Sequence, residues 1–300
     1  MISIIIPSFN RRTELAACLD SIIEQRFDGL EVIVVDDCST DGTDQLQTDY
    51  AQWGFIRWSI NAVNKGVNYS RNRAIEMAER PYILFLDSDD ELAPGSLQKV
   101  VDTILNNSST QHFLFTVSDR AAEFESVQQN KEVTYGDWIT GRITGDFTHV
   151  IKSDMMKRFP FFEQFRMYEH LNWLRVKKLT SPQLLVPVIV ANRERNRPDS
   201  LTNSMKLQSL SVIQSKFESE HLFYSMYYPD LKEYNPSSLG SQLVQAVALA
   251  AACNQKKKGK TLLQFAKNGF IRTCSALILL FPYYLVKYGI IRYSLYKSKR

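Results

Sequence analysis

Two stretches decide the fold: Glu31-Val-Ile-Val-Val-Asp-Asp37 and Tyr82-Ile-Leu-Phe-Leu-Asp-Ser-Asp-Asp90. Each is a short apolar run, with none of the polar alternation of a half-exposed strand, that breaks off abruptly in carboxylates. Such a run reads as a strand buried on both faces, as in a parallel sheet. Working outward, Ser3 to Ile6 is a third run of this kind, closed by Pro7, Ser8 and Asn10. Between these runs the periodicity changes. Leu15, Leu19, Ile22 and Ile23 recur at helical spacing, which predicts a helix over about 13–25 with Thr13 as its N-cap. Ser39 to Thr43 predicts a turn into a second helix, Ile56 to Ile60 a strand, and Ser70 to Glu79 a helix. The order β-α-β-α-β-α-β predicts an α/β protein with a mostly parallel, Rossmann-like sheet and helices on both faces.

Past residue 100 the pattern weakens. Phe113–Val117 and His149–Ile151 read as strands, 120–145 as a polar loop, and 168–178 as a helix. The apolar, proline-interrupted segment 184–191 reads as an edge strand, because proline cannot donate to a ladder. Residues 192–202 read as an arginine-rich loop. Helices follow to the end, including an alanine-rich one near 239–253.

Composition narrows the class. The chain has 300 residues, 44% hydrophobic and 23% charged, which excludes wholesale disorder and collagen-like repetition. Four cysteines (Cys18, Cys38, Cys253, Cys274) without metal-type spacing argue against a disulfide scaffold or zinc ribbon and fit a reducing compartment. The first residues lack a basic region and a long apolar core, so no signal peptide is expected. The net charge of +4 conceals an asymmetry. No acid follows Glu233, whereas 234–300 carries eleven Lys or Arg; residues 1–233 hold 25 basic against 32 acidic side chains, a net of −7. An acidic body and a basic tail imply different partners.

Ligands of an open parallel sheet collect at the carboxyl ends of its strands. A single Asp there serves equally well as a helix cap, but capping does not call for a run of two acids and a run of three on one rim. Such runs need a cation or hydrogen-bond donors between them.

With these residues in view, Ser3-Ile-Ile-Ile-Pro-Ser-Phe-Asn10, Val34-Val-Asp-Asp-Cys-Ser-Thr-Asp-Gly42, Asn64-Lys-Gly66, Ser70-Arg-Asn72 and Phe85-Leu-Asp-Ser-Asp-Asp90 resemble the ordered motifs of family 2 glycosyltransferases. Each is weak alone, and five in order within ninety residues are specific. The likeness is strong over 1–95, fainter to about 202 and absent beyond. It implies a GT-A domain over 1–205, with a nucleotide-sugar half (1–95) and an acceptor half (96–205), followed by a helical region over 206–300.

The resemblance also implies roles. Pro7, Ser8 and Asn10 would line the nucleotide cleft, and Asp36 and Asp37 would accept hydrogens from the base or ribose. Asp87 and Asp89 match the DXD element that holds Mn²⁺ or Mg²⁺ against the donor diphosphate. Arg71 would add a phosphate contact, and Arg193 and Arg197 would clamp the diphosphate from the 192–200 loop. Sugar transfer with inversion needs a base. The family carries a Glu-Asp pair, and here the corresponding pair is Glu169-His170. The second acid is replaced, so either residue serves. His112, His149 and His221 stand isolated in the sequence, and His149 reads as structural.

In the tail, 262–300, basic residues mix with Leu, Ile, Phe and Tyr. The longest uncharged run, Thr273 to Val286, falls short of the ~20 residues needed to cross a bilayer. The composition fits an interfacial segment on an anionic membrane, with a core-packing helix or a dimer interface as the other readings. Nothing accompanies it that points to nucleic acid. The expectation is therefore a metal-dependent, inverting transferase on the inner face of the cell membrane. It would move a sugar from a nucleotide-sugar donor, UDP-linked by preference, to a lipid-linked saccharide in surface-polysaccharide assembly. Competing readings are a nucleotidyltransferase, against which Pro7 to Arg12 offers no glycine-rich loop; a receiver-like phosphoacceptor, which needs no second acidic strand end; and an inactive sugar-nucleotide binder, motivated by the altered Glu169-His170 pair.

Overall fold

The computed structural model describes residues 1–124, 129–164, 169–193, 209–236, 239–266 and 268–297. The chain divides into two compact units: Met1–Trp138 with Ile143–Asn196, and Ile139–Arg142 with Arg197–Arg300.

The elements begin with β1 (Ile2–Ser8), α1 (Arg12–Ile23), β2 (Glu31–Asp36), α2 (Leu46–Asp49), β3 (Ile56–Ile60), α3 (Val67–Met77), β4 (Tyr82–Phe85), β5 (Asp90–Leu92) and α4 (Ser96–Asn106). Then come β6 (His112–Val117), α5 (Ala121–Phe124), β7 (Lys131–Val133), α6 (Tyr135–Ile139), β8 (Thr148–Lys152), α7 (Ser153–Arg158), α8 (His170–Leu179) and β9 (Gln183–Arg193). All nine strands among the described residues join one sheet in the order β3-β2-β1-β4-β8-β6-β9-β5, with β7 also paired to β9. The first four are parallel. Strand β8 runs antiparallel to β4 and β6, and β5 and β7 run antiparallel to β9, so the sheet is mixed.

Alternate residues of the apolar runs feed two cores. Ile4, Ile6, Val32, Val34 and Leu84 pack with Leu15, Leu19, Leu97 and Val100. Ile5, Ile33, Val35 and Ile83 cluster with Ala74, Ile75, Met156 and Phe161. Full burial of each such side chain contributes roughly 1.5–3 kcal/mol, which is why the runs show no alternation.

The structure departs from expectation at four places. Thr13 is not the cap of α1. The helix starts at Arg12, and the exposed first-turn N–H of Arg12 is taken by the Asp41 carboxylate at 3.0 Å, with Thr43 Oγ1 accepting from Arg11 N at 3.4 Å. The cap comes from the next crossover. Segment 120–145 is not all loop, since it contains α5, β7 and α6. Strand β9 is interior, paired to β6 and also to β5 and β7, and the register slip of β6 across Pro187 asks no hydrogen of the proline. Asn192 and Arg193 belong to that strand rather than to a loop.

The second unit holds α9 (Leu210–Tyr234), α10 (Leu239–Ala252), α11 (Lys256–Leu262), α12 (Gly269–Ile278) and α13 (Tyr283–Lys297). Among the described residues no single helix is long and apolar enough to cross a membrane. Residues Gly269–Ile278 and Tyr283–Arg292 reach that mark only as a pair, bent by 106°. All four cysteines are free.

Candidate active site

The parallel register sets the site. Ser8 lies opposite Asp36, so the ends of β1 and β2 stand side by side, and β4 on the other flank of β1 delivers Asp87 to the same rim. Asn10 adopts φ 51°, a left-handed conformation that asparagine tolerates better than most residues. This turns its Oδ1 to accept from Thr40 N at 2.8 Å while its own N–H donates to Ser39 Oγ at 2.8 Å. Ser39 in turn donates to Asp36 from N and Oγ. Burial raises the Asp36 carboxyl above the usual range despite those hydrogen bonds. The Ser8 hydroxyl is buried and has no hydrogen-bond partner among the described residues. Buried polar atoms are rarely left so, and an orphan at this rim fits a group that accepts a ligand.

Asp37 is placed differently from expectation. It is buried, and its carboxylate accepts from Asn61 Nδ2 at 2.8 Å, Lys65 N at 2.8 Å and Gly66 N at 2.6 Å. Most of its lone-pair capacity is therefore spent on shaping the 64–66 loop. Gly66 precedes α3 with φ 93° and ψ 162°, a conformation essentially restricted to glycine.

Arg71, on the second turn of α3, is buried. Its Nη2 donates to Asp87 Oδ1 at 2.7 Å, and its Nη1 forms a close ion pair with Glu169 Oε2. Burial disfavours the guanidinium charge, but the two carboxylates outweigh it and hold Arg71 firmly protonated. Burial likewise pushes Asp87 up, and Arg71 and Arg193 reverse this, leaving its carboxyl below the usual range. The Asp87 side chain is 45% exposed, so an ionised carboxylate also faces solvent. Asp90 opens β5, and there Arg193 Nε donates to Asp90 Oδ2 at 3.2 Å. Burial, reinforced by Asp87, pushes Asp90 up to about 7. Arg193 also reaches Asp146 at 3.4 Å. It is thus anchored at the acidic rim by carboxylates, and Arg197 lies outside the described residues.

Glu169 immediately precedes α8 and is partly buried, while His170, the first residue of the helix, is exposed. Two contacts missed in the sequence anchor this region. Asn72 Nδ2 donates to Phe161 O at 2.9 Å and its Oδ1 accepts from Phe161 N at 2.7 Å, tying α3 to the approach to Glu169. His149 stacks on Trp173 of α8 with centroids 3.9 Å apart, and His112 bonds His149 at 2.8 Å and Thr180 at 2.9 Å. The two histidines are therefore a buried pair, not isolated, and burial holds both well below the usual imidazole range. The motif Ser70-Arg-Asn72 carried the signal for the first contact; only strand pairing reveals the second.

Among the described residues no three His, Cys, Asp or Glu side chains form a self-sufficient metal cage. The rim offers hard, ionised oxygen on Asp87, with Asp89 two residues on. That donor set suits a divalent cation whose remaining ligands come from phosphate and water.

The family model described as "Glycosyl transferase family 2" matches residues 3–167. A Campylobacter jejuni protein named GalNAc(5)-diNAcBac-PP-undecaprenol beta-1,3-glucosyltransferase is 29% identical over 189 residues, covering 59% of this chain and 60% of that one. The chain thus spans about three fifths of that curated relative's length. Among solved structures, S. aureus TarS 1-349 in complex with UDP-GlcNAc aligns with TM-score 0.63 at 17% identity, over 96% of this chain and 90% of that one. Mannosyltransferase PcManGT from Pyrobaculum calidifontis, in complex with GDP-Man and Mn²⁺, aligns with TM-score 0.55 at 18% identity, over 97% and 86%. The fold is GT-A, with a helical C-terminal region.

Proposed function

The chain belongs to glycosyl transferase family 2, and from that premise we propose that it transfers a sugar from a UDP-sugar to a lipid-linked saccharide with inversion at the anomeric carbon. The observation that carries this is the rim itself. Ser8, Asp36, Asp87 and Asp90 converge from four strands, and Arg71 and Arg193 neutralise the acids only in part. The UDP-GlcNAc in the TarS structure's name supports the donor class, and the undecaprenol-linked acceptor in the Campylobacter relative's name supports the acceptor class.

Pro7, Ser8 and Asn10 would wall the nucleotide cleft, with Asp36 fixing the neighbouring turn and Asp37 the 64–66 loop. Asp87 and Asp89 would hold Mn²⁺ or Mg²⁺, which supplies charge for the departing diphosphate. Arg193 and Arg197 would add cationic contacts to that diphosphate. Glu169 is engaged by Arg71, whereas His170 is exposed at the helix start and matches the family position that more often carries the base. We assign proton removal from the acceptor hydroxyl to His170 and the placing of α8 to Glu169. The basic, aromatic tail over 262–300 would hold the enzyme on the inner face of the membrane.

The test is a thermal-shift panel of nucleotide sugars with and without Mn²⁺, followed by transfer to a lipid-linked acceptor. A UDP-sugar that raises the melting temperature only with metal supports the reading by mass action. Uniform indifference to nucleotide and metal sinks it. Binding without transfer by any acceptor favours the inactive binder.

A further inference from the structure

Within the second unit lies a cavity of about 630 Å³ between α11 and α12, inside the ~300–1,000 Å³ typical of small-molecule sites. Its lining has two characters. Lys256, Lys260 and Arg272 supply charge, and Leu277, Leu279 and Leu280 supply apolar wall. Lys256 and Lys260 are four apart and share a face of α11. Gly259 between them permits close seating. A Cβ there would stand 2.7 Å from Leu279 Cδ2 and 3.1 Å from Ala250 Cβ. Among the described residues none of the three cations pairs with a carboxylate. The described acids of this unit, Glu218, Glu220, Asp230 and Glu233, all belong to α9. Leu277 and Leu280 are 51% and 75% exposed, and the exposed apolar surface runs on through Phe281 and Tyr284.

Three cations that no described carboxylate pairs with, beside open leucines, match one ligand chemistry: an anionic phosphate joined to a hydrocarbon chain. We propose that this cavity seats the phosphate of a membrane lipid, with Lys256, Lys260 and Arg272 on the headgroup and Leu277, Leu279 and Leu280 on the start of its chain. The inference rests on the membrane-facing reading of the tail. It goes further by assigning a shaped site where composition alone implies only diffuse attraction.

Diffuse attraction follows charge number, so a charge-matched control separates the two. Full-length protein is sedimented with phosphatidylcholine vesicles, with and without a fifth of phosphatidylglycerol. The cavity variant K256Q/K260Q/R272Q is compared with K257Q/K258Q/K287Q, which removes as much charge outside the lining. The cavity variant is expected to lose at least tenfold in binding to anionic vesicles, and the control less than threefold. Equal losses, or equal binding of wild type to neutral and anionic vesicles, overturn the site. Glycerol phosphate bound by wild type and lost in the cavity variant, with vesicle binding equal in the two, would assign the cavity to a soluble phosphate and overturn the lipid. Stabilisation of each variant by UDP-sugar and Mn²⁺ is measured in parallel. Its retention shows that the catalytic reading stands whichever way the vesicle result falls.

Discussion

Asp87 and Glu169, 82 positions apart, are held by opposite arms of one buried guanidinium, that of Arg71. The pairing couples the rim proposed to hold metal to the helix proposed to hold the base. Removing the cation leaves two carboxylates facing each other. Arg71→Met should cost about 2–3 kcal/mol, below the usual ~3–5 for a broken buried pair because Asp87 is half exposed. Arg71→Lys restores the charge but not the fork, so it should recover part of the stability and little transfer activity. Urea denaturation and transfer rates on the two variants check this. An unchanged midpoint for Arg71→Met would show that the bridge contributes nothing.

Asp37 gives a prediction that separates a structural acid from a ligand contact. Asp37→Ala strands Asn61 and the N–H groups of Lys65 and Gly66, and should destabilise the protein by about 2–3 kcal/mol even without donor. Asp37→Asn should fare no better, because its amide turns a donor towards one of those N–H groups. If the acid served only the nucleotide, apo stability measured by denaturation would be unchanged and only donor affinity would fall.

How much of this was legible in the sequence follows from the range of each interaction. Continuous apolar runs ending in acids reported the parallel half of the sheet, because burial on both faces leaves a local signature. The cap of α1 did not show, because its acceptor is Asp41, 29 residues away. Strand β9 reads as an edge only if Pro187 must donate, and the register slip removes that demand. His112 and His149 become neighbours because Leu114 pairs with His149 and His112 with Ile151, placing the imidazoles diagonally on one face. The candidate residues were visible as types, but their partners were not: Arg71 was expected on phosphate and is found between two carboxylates.

The base assignment has a kinetic signature. His170→Gln should lower kcat by about 10²–10⁴-fold with little change in KM, and should remove the acidic limb of the pH–rate profile. Glu169→Gln should lower stability together with activity, since it loosens Arg71, while leaving that limb in place. The reverse pattern, with a near-normal His170→Gln enzyme and a lost limb in Glu169→Gln, would move the base to Glu169.

Lys177 of α8 supplies a test that needs no substrate. Burial lowers its ammonium from 10.5 to about 7, although its Nζ sits 3.4 Å from the centre of the Trp138 ring. In the unfolded chain the same group stays protonated until about pH 10. Between these values the unfolded state binds more protons, so this lysine makes stability rise with pH from about 7 to 10 and imposes its full, constant penalty below 7. Lys177→Met removes the penalty, on the order of 3–5 kcal/mol at neutral pH, less the lost cation–π contact of about 1–2. The variant should therefore be more stable than wild type near pH 7, and the difference should shrink towards pH 10. Urea unfolding at several pH values reads this directly. A stability difference that stays flat across the range would mean that Lys177 is charged in the fold, held there by Trp138 and the nearby Asp146.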